Sequence, residues 1–259
     1  FIYYTKKVSN YQETFYFFYL VLLMKKKNKE SKKIIYDLTK VEFEKLIEKI
    51  NNEKDIEFVV FTGNNISKPD KNLLQDFLIC AKNLKRPYYI VLGQKDVNKN
   101  KNLGKDQYIK MIRKKNFTMR KVFSPNYTFT KKNIAFIVAD GSKEFIPTPI
   151  GYYREDVLLW LDDQLDKYHN KNVVILQHYP LFPPIHKETH YTYKADEYLR
   201  LLSEHKNVKA VVSGHFDVNK EQEVNGILHI STKNAPIYRL IDILDYETEN
   251  PTFWSTIKE

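Results

Sequence analysis

Short apolar runs, each closed by a glycine beside a polar side chain, constrain this sequence most. Phe58-Val59-Val60-Phe61 ends in Thr62-Gly63, and the run from Tyr88 to Leu92 ends at Gly93. A strand that is apolar at every position, rather than every second one, has to be covered on both faces, as in a parallel sheet. Phe15 to Leu23 is a further candidate strand. Between these runs lie helical patterns. Ile34, Ile35, Leu38, Val41, Leu46, Ile47 and Ile50 recur at helical spacing. Pro69 and Asp70 open a second helix with Leu73, Leu74, Phe77, Leu78, Ala81 and Leu84 on its buried face. The order β-α-β-α-β predicts an α/β fold.

The second half continues in the same manner. Tyr127–Thr130 and Ile134–Val138 read as paired strands, Val157 to Leu165 and Tyr198–Leu202 as helices, and Val173–Leu176 and Val208–Val212 as strands. Ile227–Ser231 with Ile237–Leu244 reads as a closing hairpin or meander. No repeat or long Gly/Ser/Pro linker divides the 259 residues, which predicts one domain over 1–259.

Composition narrows the function classes only a little. The net charge of +10 invites a nucleic-acid or anionic partner, but the lysines are spread along the whole chain, which favours a solvated basic surface. The tightest basic runs are Lys25 to Lys33, the one segment where disorder is expected, and Lys95 to Lys105. Cys80 is the only cysteine, which excludes an intrachain disulfide and a cysteine metal cage. The apolar stretch from Phe15 to Met24 falls well short of the ~20 residues that span a bilayer. Its cations follow it, unlike those of a signal peptide. A cytoplasmic location is the default expectation, and export stays open because the sequence starts at Phe1 rather than Met.

Ligand-type side chains sit just beyond four strand ends: Asn64, Gln94, His178 and His215. Binding sites in open α/β sheets lie beyond the carboxyl ends of strands. The tips read Gly63-Asn64, Gly93-Gln94-Lys95-Asp96, His178-Tyr179-Pro180 and Gly214-His215-Phe216-Asp217. In order and spacing they resemble the calcineurin-like metallophosphoesterases. The motifs of that family run Asp-x-His, Gly-Asp, Gly-Asn-His-Asp, His-x-Pro and Gly-His-x-His. The resemblance extends from about Phe15 to Ser231.

The resemblance implies a metallophosphoesterase-type four-layer α/β/β/α sandwich with two mixed β-sheets. It also implies phosphoester hydrolysis at a centre of two divalent ions (Mn, Zn or Fe). Matched residue by residue, one ion would fall to Leu22, Met24, Asn64 and Asp217. The other would fall to Asn64, Gln94, His178 and His215. Lys95 takes the place of the family's catalytic histidine, and Asp96 the place of the acid that orients it. His178 and His215 keep the family's residue type, whereas Asn64, Gln94, Lys95 and Asp217 depart from it.

Two divalent ions about 3.5–4 Å apart repel by roughly 19 kcal/mol at an effective dielectric of about 20. A bridging carboxylate offsets this, and a neutral Asn64 does not. Leu22 is no ligand and Met24 is a soft donor. The expectation is therefore at most one ion, or none, with hydrolysis lost or impaired. The alternatives are a single-metal phosphoesterase using His178, His215 and Asp217, and a non-catalytic module that binds a phosphate-containing molecule. Nucleic acid is the less favoured partner. His186 and His190 lie in a Pro-rich loop beside the site and fit either a substrate mouth or a solvated loop. His169, His205 and His229 fit no pattern and read as structural. The fold does not select among phosphoester substrates.

Overall fold

The computed structural model describes residues 15–22, 40–244 and 248–259. Met24, the basic run Lys25 to Lys33, and Ile34, Ile35 and Leu38 of the expected first helix lie outside them. In chain order, β1 (Phe15–Leu22) leads to α1 (Lys40–Asn52), β2 (Ile56–Phe61), α2 (Lys71–Ala81) and β3 (Tyr88–Ile90). Next come α3 (Lys105–Lys115), β4 (Tyr127–Lys131), β5 (Ile134–Ala139), β6 (Gly151–Tyr152) and α4 (Glu155–Lys167). The chain continues through β7 (Asn172–Gln177), β8 (Thr192–Tyr193), α5 (Ala195–Glu204) and β9 (Val208–Ser213). Last are β10 (Lys220–Val224), β11 (Ile227–Ser231), β12 (Asn234–Ala235), β13 (Tyr238–Leu244) and β14 (Thr252–Lys258).

Two mixed sheets result. The first runs β14-β13-β1-β2-β3, with β12 pairing β1; the second runs β10-β11-β9-β7-β5-β4. The strands β1, β2 and β3 are parallel, as are β5, β7, β9 and β11, while β13, β14, β4 and β10 join antiparallel.

Continuous apolar strands produce four layers because their side chains alternate between two cores. In β5, Ile134, Phe136 and Val138 face one core, and Ala135, Ile137 and Ala139 face the other. Val174 and Leu176 of β7, and Ala210 and Val212 of β9, join the core shared with the first sheet. Val173, Ile175 and Val211 join Leu161 and Leu165 of α4 and Leu202 of α5 on the outer face. On the opposite outside, Phe43 of α1 stacks on Phe77 of α2 at 5.7 Å, and Phe77 meets Phe61 of β2 edge-on at 5.0 Å. The expected α/β/β/α sandwich is the fold the chain forms.

Three contacts lock the sheets face to face. Phe58 of β2 makes edge contacts with Phe129 of β4 and Phe136 of β5, at 5.3 and 5.2 Å. The Tyr127 hydroxyl both donates to the carbonyl of Ile90 and accepts from its N–H, at 3.0 and 3.1 Å. At the other end the buried Arg239 of β13 pairs with Glu221 of β10.

The helix opened by Pro69 and Asp70 is capped as expected, with Asp70 Oδ1 accepting from Asn72 and Leu73 N–H at 2.8 and 3.2 Å. Two readings need correction. Val41 is exposed, and Phe43 takes the buried face of α1 with Leu46, Ile47 and Ile50. Ile227–Ser231 and Ile237–Leu244 do not pair with each other. β11 belongs to the second sheet and β13 to the first, with the chain crossing between them through β12. Both strands are buried on two faces, so their apolarity cannot say which sheet they enter. The structure adds the helix α3, which buries Tyr108, Ile109 and Ile112, and the polar edge strands β10 and β14. No helix among the described residues is long and apolar enough to cross a membrane.

Truncating the fully buried Phe58 removes ring contacts that join both sheets. Phe58→Ala should lower the unfolding free energy by about 3–5 kcal/mol in denaturant titration. Val41→Ala on the exposed face should stay within about 0.5 kcal/mol.

Candidate functional site

The polar tips of both sheets converge. Asn64 and Asn65 follow β2, Gln94, Lys95 and Asp96 follow β3, His178 follows β7, and His215 and Asp217 follow β9. Leu20 pairs with Phe61, which carries the end of β1 at Leu22 to the level of Gly63.

His178 is the junction. Its Nδ1 lies 2.7 Å from the Thr62 carbonyl on the first sheet, and its Nε2 lies 2.8 Å from Gln94 Oε1. A carbonyl can only accept, so Nδ1 carries the proton. Burial lowers the imidazole pKa to about 4, with the Thr62 carbonyl opposing and the Lys95 charge assisting. The ring is therefore neutral and Nε2 offers a lone pair, which an amide oxygen cannot fill, so the Gln94 bond is made with the amide's NH2 in the place of Oε1. The backbone carbonyl of His178 accepts from Gly214 N–H at 3.1 Å, which ties the β7 tip to the β9 tip.

Two glycines make this approach possible. Gly63 has φ +98°, and a Cβ there would lie 2.5 Å from His178 Nδ1. A Cβ on Gly93 would lie 2.4 Å from the backbone nitrogen of Asn64. Asn64 Oδ1 in turn accepts from Lys95 N–H at 2.9 Å.

Asp96 braces the β2 and β3 tips from below. It is fully buried and accepts from Gly93 N–H at 2.8 Å, Asn65 Nδ2 at 2.9 Å and Ile66 N–H at 3.0 Å. Burial pushes its pKa up to about 7, and these donors pull the other way.

His215 lies beside His178, with ring centroids 5.0 Å apart, and His190 stacks on its far side at 5.0 Å. Neither nitrogen of His215 makes a well-formed hydrogen bond among the described residues. Burial, then the neighbouring His178, His190 and Lys187, lower its pKa to about 2, while the Pro149 carbonyl draws weakly on its proton. Asn64 Nδ2, Thr62 Oγ1 and both amide atoms of Asn234 are likewise buried without partners. Such orphaned polar atoms mark a place where water or a polar ligand completes the bonding.

Asp217 is held apart from the histidines, its Oδ1 accepting from Asn234 N–H at 3.1 Å. Asn64, His215 and Asp217 all have left-handed backbones, with φ of +57°, +78° and +57°. Asn and Asp tolerate this cheaply and His less so, which places local strain at the tips. His186 is exposed, and His205 pairs with Asp162 at 2.6 Å, remote from the tips. His229 is buried in β11 against Phe182.

The sequence reading passed over one tip. Asp140 follows β5 and precedes Gly141, the same apolar strand, polar residue and glycine signature as the other ends. It is buried and pairs with Lys105 Nζ at 2.6 Å. Among the described residues no group of three or more His, Cys, Asp or Glu side chains is arranged to hold a metal ion.

A model of the calcineurin-like phosphoesterases matches residues 40–218, most of the sandwich and all four polar tips. The chain belongs to the calcineurin-like phosphoesterase family. The family is divalent-metal dependent. No curated protein sequence matches the chain. Solved structures share the fold at low identity. A dimetal phosphatase of Danio rerio superposes with TM-score 0.65 at 14% identity, over 92% of this chain and 98% of that one. A purple acid phosphatase from yellow lupin seeds gives 0.54 at 13%, over 95% and 54%. GAP50, the anchor in the inner membrane complex of Plasmodium, gives 0.53 at 19%, over 95% and 90%.

The buried histidines predict a pH dependence for this phosphoesterase domain. His178, His215 and His229, the last near 4 by burial, all have folded pKa values below the ordinary 6.5. The unfolded chain then binds more protons between pH 6.5 and about 4, so stability is present above 6.5 and falls as pH drops. The slope is about 1.4 kcal/mol per pH unit per histidine. Asp96, raised to about 7, works in the opposite sense over the same window and offsets one of the three. Denaturant midpoints should therefore fall from pH 6.5 to 4.5, and His229→Phe should flatten the decline by about one histidine's share.

Proposed function

We propose that this member of the family has lost its dinuclear hydrolytic centre and that its phosphoester hydrolysis is absent or strongly impaired. The observation that carries this reading is the bonding of His178. One of its nitrogens is taken by the Thr62 carbonyl and the other by the Gln94 amide, so two side chains at ligand positions of the family satisfy each other. Asn64 behaves similarly, giving its oxygen to Lys95 N–H.

The donor chemistry supports the same reading. Asn64, Gln94, His178 and His215 are all neutral, and the one acid at a ligand position, Asp217, is bonded to Asn234 N–H, so the set falls short of the negative charge that two divalent ions require. The position of the bridging carboxylate falls on Asn64, whose amide nitrogen is buried without a partner. These residues do not fit a pair of metal ions. Lys95 stands in the place of the family's proton-handling histidine. An ammonium suits phosphate as a point charge better than it suits proton transfer near neutrality.

A single-metal site on His178, His215 and Asp217 is the competing reading, favoured by the unbonded nitrogens of His215. It requires Gln94 to leave His178 and Asp217 to turn toward the histidines from its bond to Asn234.

Elemental analysis of protein prepared with Mn²⁺ or Zn²⁺, beside assays on an aryl phosphate monoester and diester, separates the two. The expected result is less than one ion per chain and no turnover above the metal-only background. Two bound ions with turnover would overturn the proposal. One ion with turnover abolished by His178→Ala would replace it with the single-metal reading. Restoring the family residues (Leu22→Asp, Met24→His, Asn64→Asp, Gln94→Asn, Lys95→His, Asp217→His) should raise metal content toward two.

A further inference from the structure

Away from the strand tips, one face departs from the rule that large apolar side chains are covered. Phe117 and Phe123 are 76% and 72% exposed. They do not belong to a loose segment. Between them Met119 is fully buried, and Asn116 is buried with its Nδ2 donating to the Tyr88 carbonyl of β3 at 2.9 Å. The turn is pinned to the core at both residues and holds the two phenyl rings outward.

Each ring carries a cation. The Arg113 guanidinium lies 3.6 Å from the Phe123 ring centroid and that of Arg120 lies 4.1 Å from Phe117. The pattern recurs on an adjoining loop, where Lys99 Nζ sits 5.0 Å from the centroid of the exposed Phe145. Ser124 to Asn126, directly after Phe123, and Phe145-Ile146 line one cavity of about 460 Å³. Ile146 is 74% exposed there. The chain that carries Phe117 and Phe123 has charge of one sign over a long stretch. Residues 107–139 contain eight Lys and Arg and no Asp or Glu. The acids that line the cavity are each taken up: Asp140 pairs with Lys105, Asp156 with Arg154, and Glu144 accepts from Lys105 N–H at 2.8 Å.

We propose that the face carrying Phe117, Phe123 and Phe145 with their covering cations docks on an anionic phospholipid surface. Phenyl tips that reach the acyl boundary while cations remain with the lipid phosphates are the combination that interfacial binding uses. Charge complementarity and the outward projection of rings from separate turns favour a planar polyanionic surface. A nucleic acid would stack its bases on ring faces, and here a guanidinium already lies over one face of both Phe117 and Phe123.

The test is co-sedimentation of the full chain with vesicles of phosphatidylcholine alone and with phosphatidylserine added. Binding should require the anionic lipid and weaken with salt. Phe117→Ser with Phe123→Ser, and separately Arg113→Gln with Arg120→Gln, should each reduce it roughly tenfold, with unchanged circular dichroism. Phe123→Trp should shift its emission to the blue on vesicles and be quenched by brominated acyl chains. Equal binding to neutral vesicles, full binding by both double variants, or no binding to anionic vesicles would overturn the proposal. So would a shift of single-stranded RNA without vesicle binding.

Discussion

The packing of two sheets against each other through a single apolar layer is the constraint on which the rest of this structure depends. Phe58, Phe129 and Phe136 fill that layer from strands of both sheets, and Tyr127 bonds across it to the backbone of Ile90. With the sheets fixed in this way, strand ends remote in sequence arrive at one place. His178 can then reach the Thr62 carbonyl, 116 positions away along the chain. The site follows from the sandwich, because no local sequence could bring these groups together.

Stability and chemistry share the same residues at the tips. Asp96 spends its carboxylate on three N–H donors that hold the β2 and β3 loops, and Gly63 and Gly93 exist so that His178 and Asn64 can pack against backbone. Around this frame the polar atoms divide into two groups. Those of His178, Gln94 and Asn64 Oδ1 bond internally. Those of His215 and Asn234 are buried and open to a partner. A dinuclear site needs the first group to face metal ions and to carry negative charge. The internal bonds among neutral groups are the physical content of the proposed loss of hydrolysis.

Much of this was legible from residue order. Unbroken apolar runs required strands covered on both faces, and the alternation of Ile134–Ala139 between two cores bears that out residue by residue. Asp70 was readable as a cap because its side chain bonds only to its near neighbours. The sequence misled where burial is two-sided and carries no label. Ile227–Ser231 and Tyr238–Leu244 look alike, yet they enter different sheets. It was silent on the edge strand β10, whose residues face solvent, and on α3, whose buried face of Tyr108, Ile109 and Ile112 is short and set among lysines.

For the site, the sequence by itself determined which side chains stand at the strand ends, since a strand must stop and its next residue is fixed by order. Asn64, Gln94, His178, His215 and Asp217 were available from that alone. Only the tertiary structure decided how those groups spend their hydrogen bonds: His178 on Thr62 and Gln94, Asn64 on Lys95, Asp217 on Asn234. It also decided that Phe117 and Phe123 project outward under arginines while Met119 between them is buried. The reason is the same in both cases. A hydrogen bond or a ring contact depends on distances of a few ångströms between segments far apart in the chain, and packing alone sets those distances.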